Sequence, residues 1–233
     1  VSNPEFLKQG AAVDDFLKPD RVVIGSNSPK ATAIMQEVYA PFFRTASRFV
    51  LMDVKSAEMT KYAANSFLAI KISYANEIAN ICEAVGANAE MVRIGMCSDK
   101  RIGNQFLFPG LGYGGSCFPK DVMALMKTAK DNNCNCRLVE AADEVNKEQR
   151  VMFITKILRR FGMNLAGITF GVWGLTFKPK TNDMRMAPSI TIINALLEFG
   201  AKIKVYDPKG FEQAKTYFGD RVIYANNSYE ALE

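Results

Sequence analysis

The sequence predicts an α/β protein with a central all-α block, and the pattern of apolar residues supports this in three ways. Residues 1–52 contain short apolar runs next to a helical pattern, as in the end of an α/β unit. Residues 53–163 show only helical periodicity, interrupted by one glycine-rich loop. Residues 164–233 alternate strand and helix patterns. We therefore expect three domains with these bounds.

The first segment contains a strand, a loop and a helix in that order. Residues 21–25 (RVVIG) predict a buried strand. Ser28 is a good N-cap with a proline behind it, so we expect a helix over residues 29–39. The dipeptide at residues 3–4 (NP) is a turn signal, and we expect a short helix after it through residues 6–7.

The central block is dominated by one long helix. A second strand is predicted at residues 48–52, and residues 56–85 then contain neither proline nor glycine. A helix of roughly 30 residues is about 45 Å long, which exceeds what a small domain needs. Such a helix forms either an internal spine or the seam of a dimer, and both interpretations stay open. Further helices are predicted at residues 89–96, 119–131 and 137–160.

The last segment predicts a parallel sheet. Residues 168–175 indicate a buried strand, and strands at 202–207 and 221–224 alternate with helices, the last helix ending the chain. Ligands of parallel sheets bind at the carboxyl ends of the strands. Lys178 and Arg185 follow the first of these strands and suit phosphate or ribose, although solvated surface charges are an equally good interpretation.

The composition limits the class of protein. The 233 residues are 48% hydrophobic, with a scattered net charge of +5, which suits an anionic small ligand better than nucleic acid. Five cysteines without framework spacing, and no histidine, indicate a reduced, cytoplasmic protein without a disulfide framework. No apolar run is long enough to cross a bilayer, so we expect no membrane contact. The chain opens without methionine in the middle of a domain pattern, so we expect a fragment.

A glycine-dense loop at residues 110–121 (GLGYGGSCFPKD) delivers Cys117 to the start of a helix. Four glycines in six positions allow sharp turns and close approach to a ligand. Helix N-termini favour a thiolate, and Lys120 adds a positive charge nearby. Asp121 lies one helical turn further on the same face. This arrangement is typical of a covalent catalyst, although free cysteines are more often small buried apolar residues.

Lys61 and Asn65 form a second candidate pair on the long helix. They are four residues apart, so their side chains share one face. Together they can donate hydrogen bonds to a developing oxyanion. Ordinary helix surface is the simpler interpretation of this pair taken alone.

The glycines at positions 110, 112 and 115 spell G-x-G-x-x-G, the dinucleotide-binding pattern. That pattern requires a preceding hydrophobic strand and an acidic residue about 20 positions later. Residues 101–106 do not predict a strand, and residues 131–133 indicate the end of a helix. We therefore reject the match.

Several motifs resemble, in the same order, those of the UDP-glucose 6-dehydrogenase family of nucleotide-sugar dehydrogenases. They are residues 3–7 (NPEFL), 61–65 (KYAAN), 101–103 (RIG), 112–121 (GYGGSCFPKD) and 174–179 (GLTFKP). The family has a Rossmann-like NAD-binding domain, a long-helix dimerisation domain and a Rossmann-like UDP-sugar domain. The resemblance implies that this chain holds the end of the first, all of the second and part of the third.

The resemblance implies a four-electron oxidation of UDP-glucose to UDP-glucuronate by two NAD⁺. Cys117 would attack the intermediate aldehyde and form a thiohemiacetal, then a thioester. Lys61 and Asn65 would stabilise the oxyanion. Asp121, with a water, would transfer protons, and Glu5 would help to hydrolyse the thioester.

The resemblance also implies binding roles. Arg101 would reach the sugar held by the other subunit of a homodimer, so that dimerisation completes the site. Lys120 and Arg185 would contact NAD, and no metal is implied. Gln9 and Met186 depart from the family, in which glutamate is common at both positions. The UDP-sugar would be held by Phe6, Leu7, Phe106, Leu107, Phe108, Pro109, Gly110, Gly114 and Lys178.

Alternatives remain open at this stage. Relatives that use GDP-mannose or UDP-N-acetylhexosamines share the cysteine loop. Some of the GDP-mannose group carry a histidine one turn after the asparagine, where this chain has Leu68, and this difference favours UDP-glucose. A non-catalytic, dimerising nucleotide-sugar-binding module and a different cysteine-dependent aldehyde oxidoreductase are the other hypotheses.

Overall fold

A computed structural model describes residues 1–42 and 48–233, which form two compact units. The first is Val1–Asn65 and the second is Ser66–Glu233. The described residues contain helices and parallel strands, with only helices from residue 54 to 161, and this confirms the predicted α/β class with its helical central block. The three-domain bounds stay a prediction.

The first unit is built on two parallel strands. Strand β1 (Val22–Gly25) pairs with β2 (Phe49–Met52), beginning with Val22 beside Phe49. Strand β1 is buried along its whole length, as its apolar sequence predicts. Gly25 ends it against a helix, because a Cβ there would lie 2.5 Å from the Cβ of Ala57.

The predicted short helix through residues 6–7 is wrong. Ser2 exchanges backbone hydrogen bonds with Gly25, at 2.8 and 2.7 Å, and the Asn3 side chain donates to the carbonyl of a β1 residue at 2.8 Å. These bonds hold the start of the chain extended beside β1. The first helix, α1, begins later and spans Ala12–Leu17.

Side chains cap two of the helices, and the cap predicted at Ser28 is confirmed. Helix α2 (Pro29–Tyr39) begins after Ser28, whose hydroxyl accepts a hydrogen bond from the N–H of residue 31 at 3.3 Å. Helix α3 (Val54–Val85) is the longest element and extends from the first unit into the second. Helix α4 (Ala89–Cys97) begins after Asn88, whose side chain accepts from two first-turn N–H groups.

Two helices flank the cysteine loop in the second unit. Helix α5 (Phe118–Asp131) follows the loop directly, and α6 (Arg137–Phe161) ends at Gly162, where φ is +90°. Turns rather than a strand precede the loop, which agrees with our rejection of the dinucleotide pattern. The buried residues of the apolar cluster in this region are Ala69, Tyr113, Val122 and Val139.

A three-stranded parallel sheet forms the rest of the second unit. Its order is β3 (Thr169–Trp173), β4 (Lys202–Tyr206) and β5 (Ile223–Tyr224), which confirms the predicted parallel arrangement. Helices α7 (Pro188–Glu198) and α8 (Phe211–Phe218) connect the strands. Side chains at the centre of the core include Leu165, Ile193, Leu196, Ile203 and Phe218.

Two details of this sheet differ from prediction. Strand β3 is shorter than residues 168–175, and exposed residues alternate along it with partly buried ones, ending at Trp173, which is 54% exposed. This alternation is typical of a strand with one packed and one open face. The predicted last helix is only a 3₁₀ turn at Glu230–Leu232.

Within residues 1–42 and 48–233, no helix has the length and apolarity needed to span a bilayer.

Candidate active site

Cys117 occupies the N-cap of α5, as predicted. Its carbonyl accepts the first helical hydrogen bond from the N–H of Asp121 at 2.9 Å, and Pro119 lies in the first turn. The thiol is partly buried, with the Ser116 hydroxyl 3.7 Å from its sulfur. The sulfur therefore lies at the helix end that carries the unpaired N–H groups and the positive potential of the dipole.

Glycines bring the cysteine loop into direct contact with the segment that carries Arg185. The N–H of Gly115 donates to the Arg185 carbonyl at 2.8 Å. A Cβ on Gly114 would overlap the carbonyl oxygen of Met186. The absence of a side chain at Gly114 therefore allows this backbone contact, and the absence of one at Gly115 leaves room for the Phe177 ring.

Two polar side chains of α6 hold the same loop, and sequence reasoning missed both. Asn146, only 4% exposed, accepts from the N–H of Tyr113 at 2.7 Å and donates to its carbonyl at 3.2 Å. Arg150 donates to the same carbonyl at 2.8 Å and to that of Met186 at 3.3 Å. Gly112 allows this approach, because its Cβ would lie 2.5 Å from the Asn146 side-chain oxygen. The i, i+4 spacing on α6 was the available signal.

Asp121 lies in the first turn of α5, one turn after Cys117, and is 2% exposed. The Lys120 ammonium contacts its carboxylate, while the lysine side chain is 63% exposed. A carboxylate at a helix N-terminus is stabilised by the helix dipole. The structure thus brings the thiol, a buried carboxylate and an exposed cation together at one helix end.

Arg185 lies after β3, as predicted, and forms two parallel hydrogen bonds with Asp183 at 2.9 and 2.7 Å. These bonds and the charge of Asp183 raise the pKa of Arg185, and its charge interaction with Cys117 raises it further. The guanidinium is therefore held by Asp183, on the segment whose backbone contacts the cysteine loop. Lys178, in the same connection, has its ammonium 5.4 Å from the centre of the Phe177 ring.

Asp207, which sequence reasoning also missed, ties the carboxyl ends of two strands together. One carboxylate oxygen accepts from the N–H of Leu175 at 2.7 Å, after β3. The other accepts from the N–H groups of Lys209 and Gly210, both at 2.7 Å. Burial acts to raise the pKa of Asp207, but these backbone hydrogen bonds outweigh it and hold the pKa below its usual range. The ends of the strands that suit a nucleotide are thereby fixed.

The predicted sugar-binding loop before the cysteine is only partly accessible. Leu107 is buried, whereas Phe108 is 57% exposed, with the Arg93 guanidinium 4.4 Å from its ring centre. The N–H of Gly110 donates to the side-chain oxygen of Asn76 at 2.6 Å. Leu107 therefore packs in the interior, whereas Phe108 is accessible to a ligand.

Arg101 is 90% exposed and follows α4. Its guanidinium makes a hydrogen bond to Asp99 at 2.5 Å, and its bonds with this carboxylate raise the pKa of Arg101. An exposed, charged end is compatible with the predicted contact to a second subunit.

In the first unit, the structure brings Glu5, Phe6 and Lys61 together. The Lys61 ammonium is 3.3 Å from the Glu5 carboxylate and 5.4 Å from the centre of the Phe6 ring. The other Glu5 oxygen accepts from the N–H of Leu7 at 2.7 Å. Asn65, one turn along α3 from Lys61, is 8% exposed.

A cleft of about 230 Å³ opens beside these residues. Its lining includes the predicted sugar-contact residues Phe6 and Leu7 together with the cations Lys8 and Arg21. The cleft is also lined by Lys18 and by three carboxylates, so positive and negative side chains are equal in number there.

Comparison with known proteins defines the class. Residues 1–43 match the NAD binding domain of the UDP-glucose/GDP-mannose dehydrogenase family. Residues 55–148 match its central domain, and residues 171–233 match its UDP binding domain. These matches follow one another in order and cover most of the chain. The chain belongs to the UDP-glucose/GDP-mannose dehydrogenase family, as its motifs predicted.

Three individual relatives of the chain are named as dehydrogenases of UDP-glucose. The chain is 48% identical to the UDP-glucose 6-dehydrogenase TuaD of Bacillus subtilis, over all of this chain and 50% of that protein. It is 46% identical to the UDP-glucose 6-dehydrogenase of Rhizobium meliloti, over 99% of this chain and 53% of that protein. A solved UDP-glucose dehydrogenase from Pyrobaculum islandicum superposes with a TM-score of 0.94 at 38% identity, covering 99% of this chain and 52% of that one. The chain therefore spans about half the length of these relatives.

Proposed function

We propose that the protein containing this chain oxidises UDP-glucose to UDP-glucuronate with two NAD⁺, in the cytoplasm. The observation that carries the proposal is Cys117 at the N-terminus of α5, in a loop packed against the segment of Arg185. Relatives named UDP-glucose 6-dehydrogenase, at 46 and 48% identity, favour this sugar. The five unpaired cysteines favour a reducing compartment.

Two side chains beside the thiol fit NAD. Lys120 and Arg185 are 63% and 62% exposed, and their positive charges suit the phosphates of a dinucleotide. Each cation contacts a carboxylate, Asp121 or Asp183, which restricts its direction. When bound, NAD⁺ supplies the hydride acceptor for each oxidation.

The first oxidation converts the C6 alcohol of the sugar to an aldehyde: C6 gives up a hydride, and the hydroxyl proton passes to a water held by Asp121. The thiolate of Cys117 then adds to that carbon, so a C–S bond forms and the carbonyl electrons move to oxygen. In this proposal Lys61 and Asn65 donate hydrogen bonds to the resulting oxyanion. Transfer of a second hydride from the thiohemiacetal leaves a thioester on the cysteine.

Hydrolysis completes the reaction. The buried carboxylate of Asp121 orients a water and takes its proton as the oxygen attacks the thioester carbon. The C–S bond breaks, Cys117 leaves as thiolate, and the product departs as a carboxylate. Glu5 assists this step and, through its contact with Lys61, keeps the ammonium in place.

We also propose a homodimer formed through α3. Four of its exposed apolar residues recur at steps of seven, seven and four, which places them in one stripe along the helix. A stripe of this kind is costly to leave in water and suits burial against a second copy. The residues are Phe67, Tyr74, Ile81 and Val85. Sedimentation at micromolar concentration tests this, and a monomer would contradict it.

The activity is tested with the full-length protein and UDP-glucose. Two NADH for each sugar consumed, and UDP-glucuronate as product, are the expected result. The Cys117→Ser variant should form no UDP-glucuronate. GDP-mannose and UDP-N-acetylglucosamine, assayed in parallel, test the other sugars. A folded protein that binds UDP-glucose without any turnover would instead support a non-catalytic binding module.

A further inference from the structure

Arg150 of α6 contacts three separate segments through one guanidinium. One of its nitrogens donates to the carbonyls of Tyr113 and Met186, at 2.8 and 3.3 Å. The other lies 3.5 Å from the Thr191 hydroxyl of α7. Arg150 therefore connects the cysteine loop, the segment of Arg185 and the following helix.

The two segments that Arg150 connects also contact each other next to the thiol. Gly115, two residues before Cys117, donates to the Arg185 carbonyl at 2.8 Å. Met186 has a φ of +52°, a left-handed conformation that side-chain-bearing residues rarely adopt. Such a conformation persists only where its surroundings hold it, and the bond from Arg150 to the Met186 carbonyl is one of those restraints.

Stability alone does not explain an arginine at this position. Burial lowers the pKa of Arg150, so its charge is kept at a cost. Among the residues that the structure describes, its buried Nε has no hydrogen-bond partner. An unpaired buried N–H is unfavourable, and an apolar side chain in its place would avoid that loss.

We propose that Arg150 is a positioning residue that holds the Arg185 segment against the cysteine loop, and so fixes the Arg185 guanidinium relative to the Cys117 thiol. Its value for catalysis rests on the proposed function, in which Cys117 is the nucleophile. The proposed positioning also changes the electrostatic potential at the thiol, and this potential can be measured without turnover.

The test measures alkylation of Cys117 in the full-length protein by iodoacetate, an anion, and by iodoacetamide, which is neutral. Trypsin releases residues 102–120, and Cys117 is the one cysteine in that peptide, so mass spectrometry reads this thiol alone. A nearby cation raises the rate for the anionic reagent selectively. We expect the iodoacetate-to-iodoacetamide rate ratio to fall roughly threefold in Arg185→Met, as for the removal of one solvent-screened charge.

The Arg150 variants separate position from charge. Arg150→Lys keeps the charge, but its single ammonium nitrogen cannot occupy the positions of both terminal guanidinium nitrogens. The contacts to the two carbonyls and to the Thr191 hydroxyl therefore cannot all be kept, and we expect the ratio to fall nearly as much as in Arg185→Met. The double variant Arg150→Lys/Arg185→Met should show no further fall. Lys147→Met, which removes an exposed cation one turn earlier on α6, should leave the ratio unchanged.

A ratio that Arg150→Lys leaves unchanged, or a further fall in the double variant, would overturn the proposal. Circular dichroism identifies any variant that fails to fold. General loosening of the loop would raise both alkylation rates and preserve their ratio, so it also counts against the proposal. Arg150→Met provides a second variant, and its ratio should match that of the lysine variant if position decides the effect.

Discussion

Gly114 packs directly on Met186, because the space that a side chain would need at the glycine is filled by the methionine carbonyl oxygen. The neighbouring Gly115 adds a backbone hydrogen bond to Arg185. The loop before Cys117 is therefore shaped by a segment about 70 residues away in sequence. Changes on either side of this contact should affect the thiol.

The substitution Gly114→Ala tests that contact. The added methyl group has no room, so we expect the free energy of unfolding to fall by about 1–3 kcal/mol, as in overpacked cores. Gly110→Ala is the matched control in the same loop, because no atom lies within 4 Å of the position that its methyl group would take. Urea unfolding of both variants measures the difference, and equal stabilities would contradict the packing described here.

Asn146→Ala should also loosen the loop. The buried amide satisfies both backbone groups of Tyr113, and its removal leaves the N–H without its partner. We expect a loss of about 2–3 kcal/mol in the free energy of unfolding, from the two lost hydrogen bonds and the buried donor. Asn135→Ala, at an exposed position, should change it by less than about 0.5 kcal/mol. An equal loss in both variants would show that the amide does not hold the loop.

The sequence predicted most elements because their ends carry local signals. Ser28 and Asn88 cap their helices through their own side chains, and Gly162 ends another with a positive φ, so each signal acts within a few residues. The prediction of a short helix through residues 6–7 is wrong because the structure there depends on a partner distant in sequence. Ser2 pairs there with a strand over 20 residues later, and such a partner leaves no local pattern.

In the candidate site, too, residues with local sequence signals were predicted, and residues with distant partners were missed. Cys117 and Asp121 were found because the glycines, the proline and the one-turn spacing lie together in sequence. Asn146 and Arg150 were missed because polar residues four apart on a helix usually face water. Asp207 was missed because an aspartate before a proline is typical of the end of a strand. Their roles depend on distant backbone groups that the sequence does not reveal.

Asp207→Asn should destabilise the protein in a pH-dependent way. The folded state holds the pKa of Asp207 below its usual range, so the unfolded state binds the proton more tightly. The stabilisation is therefore fully present above the ordinary aspartate pKa of about 4 and is lost as the pH falls through the lower, folded value. At neutral pH we expect a loss of about 1–3 kcal/mol, since an amide cannot accept all the bonds that the carboxylate accepts.

Urea unfolding between neutral pH and about pH 3 measures this effect. The difference between the wild-type protein and Asp207→Asn should narrow in acid, because the wild-type carboxylate becomes protonated. Asp220→Asn, at an exposed position, is the control and should differ little from wild type at either pH. A difference that stays constant with pH would mean that the charge of Asp207 does not stabilise the fold.

Lys61→Met should slow turnover more than it lowers stability. In the proposed mechanism the ammonium stabilises the oxyanion, and loss of one such donor typically costs about 10²–10³-fold in kcat. Its partner, the Glu5 carboxylate, is 58% exposed, but the ammonium also donates to the Glu5 backbone carbonyl at 2.5 Å, so we expect the free energy of unfolding to fall by about 1–2 kcal/mol. Steady-state kinetics with UDP-glucose and urea unfolding on the same preparation give both values.

Lys55→Met provides the comparison on the same helix, because Lys55 is exposed near the start of α3. It should retain full turnover, since it has no role in the proposed reaction. Retained turnover in Lys61→Met, or a loss of activity that follows a loss of folded protein, would assign Lys61 to the structure instead. In that case the contact with Glu5 would be its whole function, and the oxyanion would depend on Asn65 and other donors.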